Sequence, residues 1–166
     1  MNNNWGYRAA DFCYKSPSVI VRKLIECVSK NGNLLLNVGP DAYGNIPEQS
    51  LEILNQIGKW MRLNGSSIYN CGKSDLPKPE WGRYTQNGSK LYAHIMEESI
   101  GAINLNGLNG KIKKARLLKD GSEILLLKPW NTAEYPDDAF INFVTPEHST
   151  FPHPDDTATV VELELM

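Results

Sequence analysis

The sequence has no surplus of positive charge, because its 166 residues contain 17 lysines and arginines against 19 aspartates and glutamates. Proteins that hold a phosphate backbone usually carry a basic surplus, so we expect no nucleic-acid partner. The hydrophobic share of 41% and the charged share of 22% are ordinary for a folded protein in water. A chain of this length can bury a sizeable core, as one domain or as one domain and part of another.

Cysteine is scarce, since Cys13, Cys27 and Cys71 are odd in number and far apart, and no C-x-x-C pair occurs. This pattern predicts free thiols in a reducing compartment rather than disulfides. The cysteines and the three histidines also lack the spacing of zinc ligands. We therefore predict no metal site and no cofactor.

Long apolar runs are absent too. No stretch approaches the roughly 18 residues that a membrane-spanning helix needs, and residues 1–20 lack the charged and apolar regions of a signal peptide. The chain as given is therefore expected to be cytoplasmic, with no membrane partner. A signal upstream of Met1 would change the expected compartment.

The first part of the chain has the apolar period of helices. Ser16 suits an N-cap and Pro17 a first helical position, so residues 17–28 are predicted to form an amphipathic helix that ends at a left-handed cap in Asn31-Gly32. A second helix is predicted from Pro47, ending at Asn64-Gly65. Its apolar face is predicted to comprise Leu51, Leu54, Ile57, Gly58 and Met61.

Residues 33–38, between the two helices, are short and almost continuously apolar, which is typical of a strand buried on both faces in a parallel sheet. Such a strand needs neighbours on both sides to satisfy its backbone. This chain supplies at most one neighbour, so residues 1–70 are predicted to be part of a (β/α) barrel. The exposed edges and apolar faces of that strand would favour self-association.

After Gly72 the apolar period changes to two, and Asn-Gly and Asp-Gly turns separate short runs. Seven strands are predicted, at 81–85, 90–96, 101–105, 111–118, 123–127, 139–143 and 159–165. K-L-Y-A-H-I and V-E-L-E-L alternate as half-buried strands should. The predicted fold is α+β, with a partial barrel at 1–70, a linker at 71–79 and an antiparallel β-sandwich at 80–166.

Three blocks of the first 70 residues carry a family resemblance. N-x-x-W-G-Y at 2–7, N-G-N-L-L-L-N-V-G-P-D-A-Y-G-N-I-P at 31–47 and I-G-K-W-M-R-L-N-G-S-S-I-Y at 57–69 together closely resemble the C-terminal part of the catalytic domain of α-L-fucosidases. The resemblance implies a retaining glycoside hydrolase with a TIM-like barrel followed by a β-sandwich. A full barrel takes about 250 residues, so this chain would be the C-terminal portion, with Met1 an interior methionine or the edge of a fragment.

Retaining glycoside hydrolysis needs two carboxyl groups about 5 to 5.5 Å apart. The resemblance implies an Asp nucleophile and a Glu acid/base that both lie upstream of Met1, and no residue of this chain matches either motif. The parent protein is therefore expected to release terminal α-L-fucose from fucosylated glycans, and this chain alone is expected to be inactive. The acids of the first 70 residues are expected to be structural, and Asp41 is the least secure of these assignments because it follows a barrel strand. They are Asp11, Glu26, Asp41, Glu48 and Glu52.

Trp5 is the main substrate-binding candidate, as an aromatic wall against the apolar face of fucose. The alternative is that Trp5 packs against Tyr7 and the following helix. Tyr7 is the second substrate-binding candidate, with a structural role as its alternative. Asn33 and Asn37 are expected to make hydrogen bonds in the core or at the barrel rim.

A different function remains open, in which the sandwich is a non-catalytic module. Four aromatic residues could form a sugar-binding platform or could equally be core residues, namely Trp81, Tyr84, Tyr92 and Trp130. Such a module would bind a glycan or another protein, or would only brace the barrel.

Overall fold

The computed structural model describes residues 1–98, 101–143 and 154–166, which form helices first and strands afterwards. The elements are α1 (Pro17–Val28), α2 (Glu48–Asn64), β1 (Gly72–Lys73), β2 (Gly82–Asn87), β3 (Lys90–Ile95), β4 (Ile103–Leu105), β5 (Ile112–Leu117), β6 (Ala139–Ile141) and β7 (Thr159–Leu165), with 3₁₀ helices at Gly65–Ser67 and Thr132–Glu134. No helix in these ranges combines the length and apolar character needed to cross a bilayer.

Helix α1 begins and ends as its sequence predicts. The Ser16 side chain accepts a hydrogen bond from the Val19 amide, and Pro17 is the first helical residue. Asn31 has a φ of 59°, so Asn31 rather than the following glycine takes the left-handed conformation of the cap. The buried residues Ile20, Val21 and Ile25 lie on one face, as expected of an amphipathic helix.

Helix α2 follows Pro47 and ends at Asn64, as predicted, but two details were wrong. Gly65 has a φ of −59° and continues into a 3₁₀ turn, and the left-handed residue is Asn70 instead. The buried face runs through Ile53 and Trp60, whereas Leu51 is 46% exposed. The buried face differs from the predicted apolar face because the large side chain of Trp60 packs beside the sheet.

Residues 33–38 do not form the predicted strand. The segment is extended, but within the described residues no strand pairs with it. Only one of its faces is covered, since Leu34, Leu36 and Val38 pack on the cluster around Ile20 and Ile53. The intervening Leu35 is 94% exposed. Burial on both faces requires adjacent strands, and the described residues supply none.

The strands form two antiparallel sheets, which confirms the predicted α+β class. The larger has the order β1-β2-β3-β7-β5 and the smaller pairs β4 with β6. Strand β1 lies inside the segment 71–79 that was predicted as linker. The main core lies between the sheets and includes Leu91, Ile95, Leu105, Ile141 and Leu163.

The strand predicted at 123–127 is absent. Glu123 makes an isolated bridge to Arg116 in β5, and Leu127 makes one to Phe140 in β6. The segment therefore crosses from the larger sheet to the smaller one, and it cannot run beside either strand. Leu125, between the two bridges, is 72% exposed.

Strands β3 and β7 are not half-buried, contrary to the alternation in their sequences. Leu91 and Leu163 face the core between the sheets, while Tyr92 and Val160 pack against the helices on the opposite face. The helices thus form a third layer. Glu162, only 5% exposed, is tolerated because the Arg116 guanidinium donates two hydrogen bonds to it, at 2.7 and 3.1 Å.

Polar contacts join the helical layer to the sheet. The Trp60 indole donates a 3.2 Å hydrogen bond to the Ala158 carbonyl just before β7. Glu26 on α1 pairs with the guanidinium of Arg83 on β2. Each helix is therefore joined to the larger sheet by a directional polar contact as well as by apolar packing.

His94 is fully buried in β3 beside the helical layer. The Thr85 hydroxyl donates to the Ser67 carbonyl at 2.6 Å, so its oxygen accepts from His94 Nε2 at 2.8 Å. His94 Nδ1 has no partner within the described residues, which is consistent with the neutral ring. Burial lowers the pKa of His94 to about 3.

Substituting Trp60 by Phe should lower the free energy of unfolding by about 2 kcal/mol, because it removes the bond to Ala158 and part of a buried ring. Urea unfolding measures the change. Trp130 is 91% exposed, so the same substitution there is the matched control and should change little. Equal losses of stability at both positions would contradict a role for Trp60 in joining the helices to the larger sheet.

Acid should destabilise the protein through His94. Between pH 6.5 and about 3 the unfolded chain protonates this ring and the folded chain does not, so stability falls as the pH falls, by about 1.4 kcal/mol per pH unit. Gln at position 94 can keep the donor to Thr85 but cannot titrate. Urea unfolding at pH 7 and pH 4 should therefore show a smaller loss for H94Q than for the unmodified chain, and parallel losses would disprove the assignment.

Candidate functional site

The segment that precedes Trp5 is held by the carboxylate of Asp11. Oδ2 accepts bonds from the backbone amides of Asn3 (3.1 Å) and Asn4 (3.0 Å) and from the side-chain amides of Asn2 (3.0 Å) and Asn4 (2.6 Å). Oδ1 accepts from the Cys13 amide at 3.1 Å. These donors, the Asn4 side chain foremost, hold the pKa of Asp11 below its ordinary value.

Trp5 and the two residues after it lie against the segment at 37–39. The Asn37 side-chain amide donates a 2.6 Å hydrogen bond to the Trp5 carbonyl, as expected for a rim residue. A Cβ at position 39 would lie 2.7 Å from the Gly6 carbonyl carbon and from the Tyr7 amide nitrogen, so only glycine fits. Two of the motif blocks quoted above are therefore in direct backbone contact.

The side chains of the two candidate substrate-binding residues face solvent. Trp5 is 92% exposed and Tyr7 is 51% exposed. The alternative in which Trp5 packs against Tyr7 and the next helix is wrong in this structure, because a packed indole would be buried. Both side chains are accessible to a ligand.

Asp41 is occupied by its own turn. Oδ1 accepts from the amides of Tyr43 (2.8 Å) and Asn45 (2.9 Å), and Oδ2 accepts from the Asn45 side chain at 3.1 Å. Gly44 supplies the left-handed residue, with a φ of 87°. The bonds from Asn45 are the main cause of the lowered pKa of Asp41. An ionised and fully engaged carboxylate is a poor general acid.

A cavity of about 280 Å³ lies between the two loops. Its lining includes Tyr7, Arg8, Asp11, Asp41 and Glu48. The two aspartates are committed to the bonds described above, so their oxygens stabilise the loops rather than face a ligand as free acceptors. The cavity therefore separates two stiffened loops and shows no carboxylate pair available for chemistry.

The other acids of this region also have structural surroundings. Glu26 pairs with Lys30 and Arg83, and the hydrogen bond from Lys30 is the main cause of its lowered pKa. Glu48 lies in the first turn of α2, where the helix dipole favours a negative charge, and Glu52 is exposed. Within the ranges that the structure describes, no group of three or more His, Cys, Asp or Glu side chains could hold a metal ion.

The four aromatic candidates in the sandwich do not form an exposed sugar-binding platform, because Trp81, Tyr84 and Tyr92 are buried. Trp81 stacks edge-on against Tyr84, with ring centroids 5.2 Å apart, and its indole donates to the Asn104 carbonyl at 2.8 Å. Burial raises the pKa of Tyr92 to about 12. Of the four platform candidates, Trp130 alone is exposed.

Sequence reasoning missed the parts played by Asp11 and Gly39. A signal for Asp11 was present, since an isolated acid closely follows a run of asparagines that carries many N–H donors. The signal for Gly39 was its place directly after an apolar run, where a close backbone approach is one reason for glycine. Neither partner could be named without the fold.

The comparisons with known proteins agree with the motif blocks. Residues 1–66 match the family model described as "Alpha-L-fucosidase". The chain is 57% identical to α-L-fucosidase isoenzyme 1 from Paenibacillus thiaminolyticus, with a TM-score of 0.93, over 100% of this chain and 38% of that one. It is 44% identical to the plasma α-L-fucosidase of Rattus norvegicus over 58% of this chain and 23% of that protein.

A further solved structure is a Thermotoga maritima α-L-fucosynthase in complex with α-L-Fuc-(1-2)-β-L-Fuc-N3. It is 26% identical, with a TM-score of 0.76, over 98% of this chain and 37% of that one. The chain therefore spans less than half the length of each of these relatives. Family model, curated relative and solved structures agree, and the predicted resemblance of this chain to the α-L-fucosidase family is confirmed.

Proposed function

We propose that this chain supplies the C-terminal portion of an α-L-fucosidase, which releases terminal α-L-fucose from fucosylated glycans by a retaining double displacement. The observation that carries the proposal is the likeness to a solved α-L-fucosidase along the whole chain. The presentation of Trp5 at an accessible position supports it further.

In this proposal Trp5 binds the sugar. Fucose has an apolar face that includes its methyl group, and an indole can cover such a face through burial and weak C–H contacts. The ring is 92% exposed, so within the described part of the chain it has almost no packing to leave before it contacts a sugar. Tyr7, half-exposed on the same short segment, is the second contact that we propose.

The nucleophile and the acid/base are proposed to come from residues outside this chain. A retaining mechanism needs one carboxylate to attack the anomeric carbon and one carboxyl group to protonate the leaving oxygen. Asp11, Glu26 and Asp41 each have a lowered pKa and several donors, so none is suited to act as the acid. An aromatic wall alone cannot supply the several kcal/mol that the reaction requires.

The sandwich is proposed to brace the catalytic part rather than to bind sugar. Three of its four platform candidates are buried, and its face towards the helices is fixed by Trp60 and Glu26. The residues that carry these contacts lie on α1 and α2, which connect directly to the Trp5 and Asp41 loops. A rigid sandwich would thereby limit the motion of those loops.

The purified 166-residue chain should not hydrolyse an aryl α-L-fucoside, because no available carboxylate pair accompanies Trp5 among the residues that the structure describes. A chimera in which this chain replaces the matching 38% of the Paenibacillus enzyme should regain turnover. Release of the aryl alcohol measures both. Turnover by the chain alone would contradict our placement of the carboxylates, and a folded but inactive chimera would contradict the proposed function.

In that chimera, Trp5→Ala should lower kcat/KM by about tenfold, mainly through a higher KM, because stacking is present before and during the reaction. Trp130→Ala is the matched control, since the two indoles are almost equally exposed, at 92% and 91%. Steady-state kinetics on the aryl fucoside decides the matter. An unchanged KM for the Trp5 variant would remove Trp5 from the sugar site.

A further inference from the structure

We propose that Asp11 is a positioning residue for Trp5, fixing the backbone from which the exposed indole projects. The inference deepens the proposed function and rests on it, because positioning matters for sugar binding only if Trp5 contacts the sugar.

The donors to Asp11 come from the residues that lead directly into Trp5. Four of its five hydrogen bonds end on Oδ2 and originate from Asn2, Asn3 and Asn4, two through backbone amides and two through side chains. Bonds of a carboxylate to N–H groups are stronger than bonds between neutral groups. A single ionised side chain therefore organises three consecutive residues.

Beyond Trp5 the backbone is held by a different set of contacts. Asn37 donates to the Trp5 carbonyl, and Gly39 lies in close contact with the backbone of Gly6 and Tyr7. The peptide that carries the indole is thus held on its N-terminal side by Asp11 and on its C-terminal side by the 37–39 segment. Removing Asp11 takes away the bonds to the amides of Asn3 and Asn4 next to Trp5, and leaves the 37–39 segment and the more distant contacts of Met1 and Asn2.

Packing contributes almost nothing to the orientation of the Trp5 side chain. At 92% exposure it has almost no packing against other side chains, so its direction depends on the backbone that bears it. A buried aromatic residue would be held by its neighbours whatever happened to a nearby carboxylate. Here the carboxylate is the support that can be altered by mutation without touching the indole.

Asp11 is itself well anchored. It is only 9% exposed, its amide donates to the Arg8 carbonyl at 3.0 Å, and its Oδ1 accepts from Cys13. Lys15 reinforces the loop with a 3.1 Å bond from its ammonium to the Asn2 carbonyl. All of these partners lie within residues 1–15, so loss of the carboxylate should loosen this loop and leave the sheets intact.

Trp5 can be observed selectively because the four tryptophans differ in exposure. In a W130F background, Trp5 is the exposed indole, since Trp60 and Trp81 are buried. Subtracting the signal of the W5F/W130F double variant isolates Trp5. Its fluorescence anisotropy reports how freely the indole moves, and far-UV circular dichroism with thermal unfolding reports whether the chain remains folded.

Two substitutions of Asp11 form a graded series. Asp11→Ala removes all five bonds, whereas Asp11→Asn can keep four of them if its oxygen takes the place of Oδ2, without the charge. Asp41→Asn is the matched control, because Asp41 also organises a loop through several bonds and none of them reaches residues 2–5.

We expect the Trp5 anisotropy to fall in the order unmodified, D11N, D11A, with D41N equal to the unmodified chain and the thermal unfolding temperature nearly constant. Unchanged anisotropy in folded D11A would overturn the inference. If D11A does not fold, D11N decides, and an anisotropy equal to that of D41N would overturn it. A fall in D41N as large as that in D11A would also overturn it, because the effect would then be general loosening.

Titration of L-fucose against the Trp5 fluorescence separates this inference from the proposed function. Affinity should weaken about three- to tenfold in D11A, the cost of ordering one free side chain on binding. If the unmodified chain does not respond to fucose, the result counts only against the proposed contact between Trp5 and the sugar. The anisotropy measurement would still decide whether Asp11 positions Trp5. A normal fucose affinity in D11A would overturn the positioning role.

Discussion

Burial of the larger sheet on both of its faces is the constraint on which this structure depends. Strands β3 and β7 lie at the centre of that sheet, with the smaller sheet on one side and the two helices on the other. Apolar residues therefore occupy both sets of alternating positions. The helices and the sandwich are consequently parts of one packed body, and the loops that carry Trp5 and Asp41 are attached to its helical layer.

Much of the local structure could be predicted because local chemistry determines it. The N-cap at Ser16, the start of α2 after Pro47 and most of the strands follow from residues that are adjacent in sequence. The segment at 33–38 and the segment at 123–127 could not be predicted this way. Their state depends on whether another strand lies beside them, and an apolar run has the same appearance with or without such a neighbour.

In the candidate site, too, some features could be predicted from neighbouring residues and others depend on residues that only the fold brings together. Trp5 and Tyr7 could be selected from the W-G-Y motif, and the likeness to fucosidases could be recognised from three blocks. The arrangement that supports Trp5 could not be predicted. It joins Asp11 to the asparagines and brings Gly39 against Gly6, and these residues are not adjacent in the sequence. In the sequence Asp11 is one of five acids with an expected structural role. Its importance becomes visible only when the donors that converge on it are counted in space.

The close approach of Gly39 to Gly6 and Tyr7 also limits how this surface can change. A methyl group at position 39 would meet the backbone of Gly6 and Tyr7, so any other residue there must displace that loop, whereas a Cβ at position 6 would meet nothing within 4 Å. Tyr43 is free of this restriction, because the turn that carries it is closed by Asp41, Gly44 and Asn45, and its own ring is 91% exposed. A new side chain at position 43 can therefore change the shape and charge of this surface while the joined loops stay undisturbed.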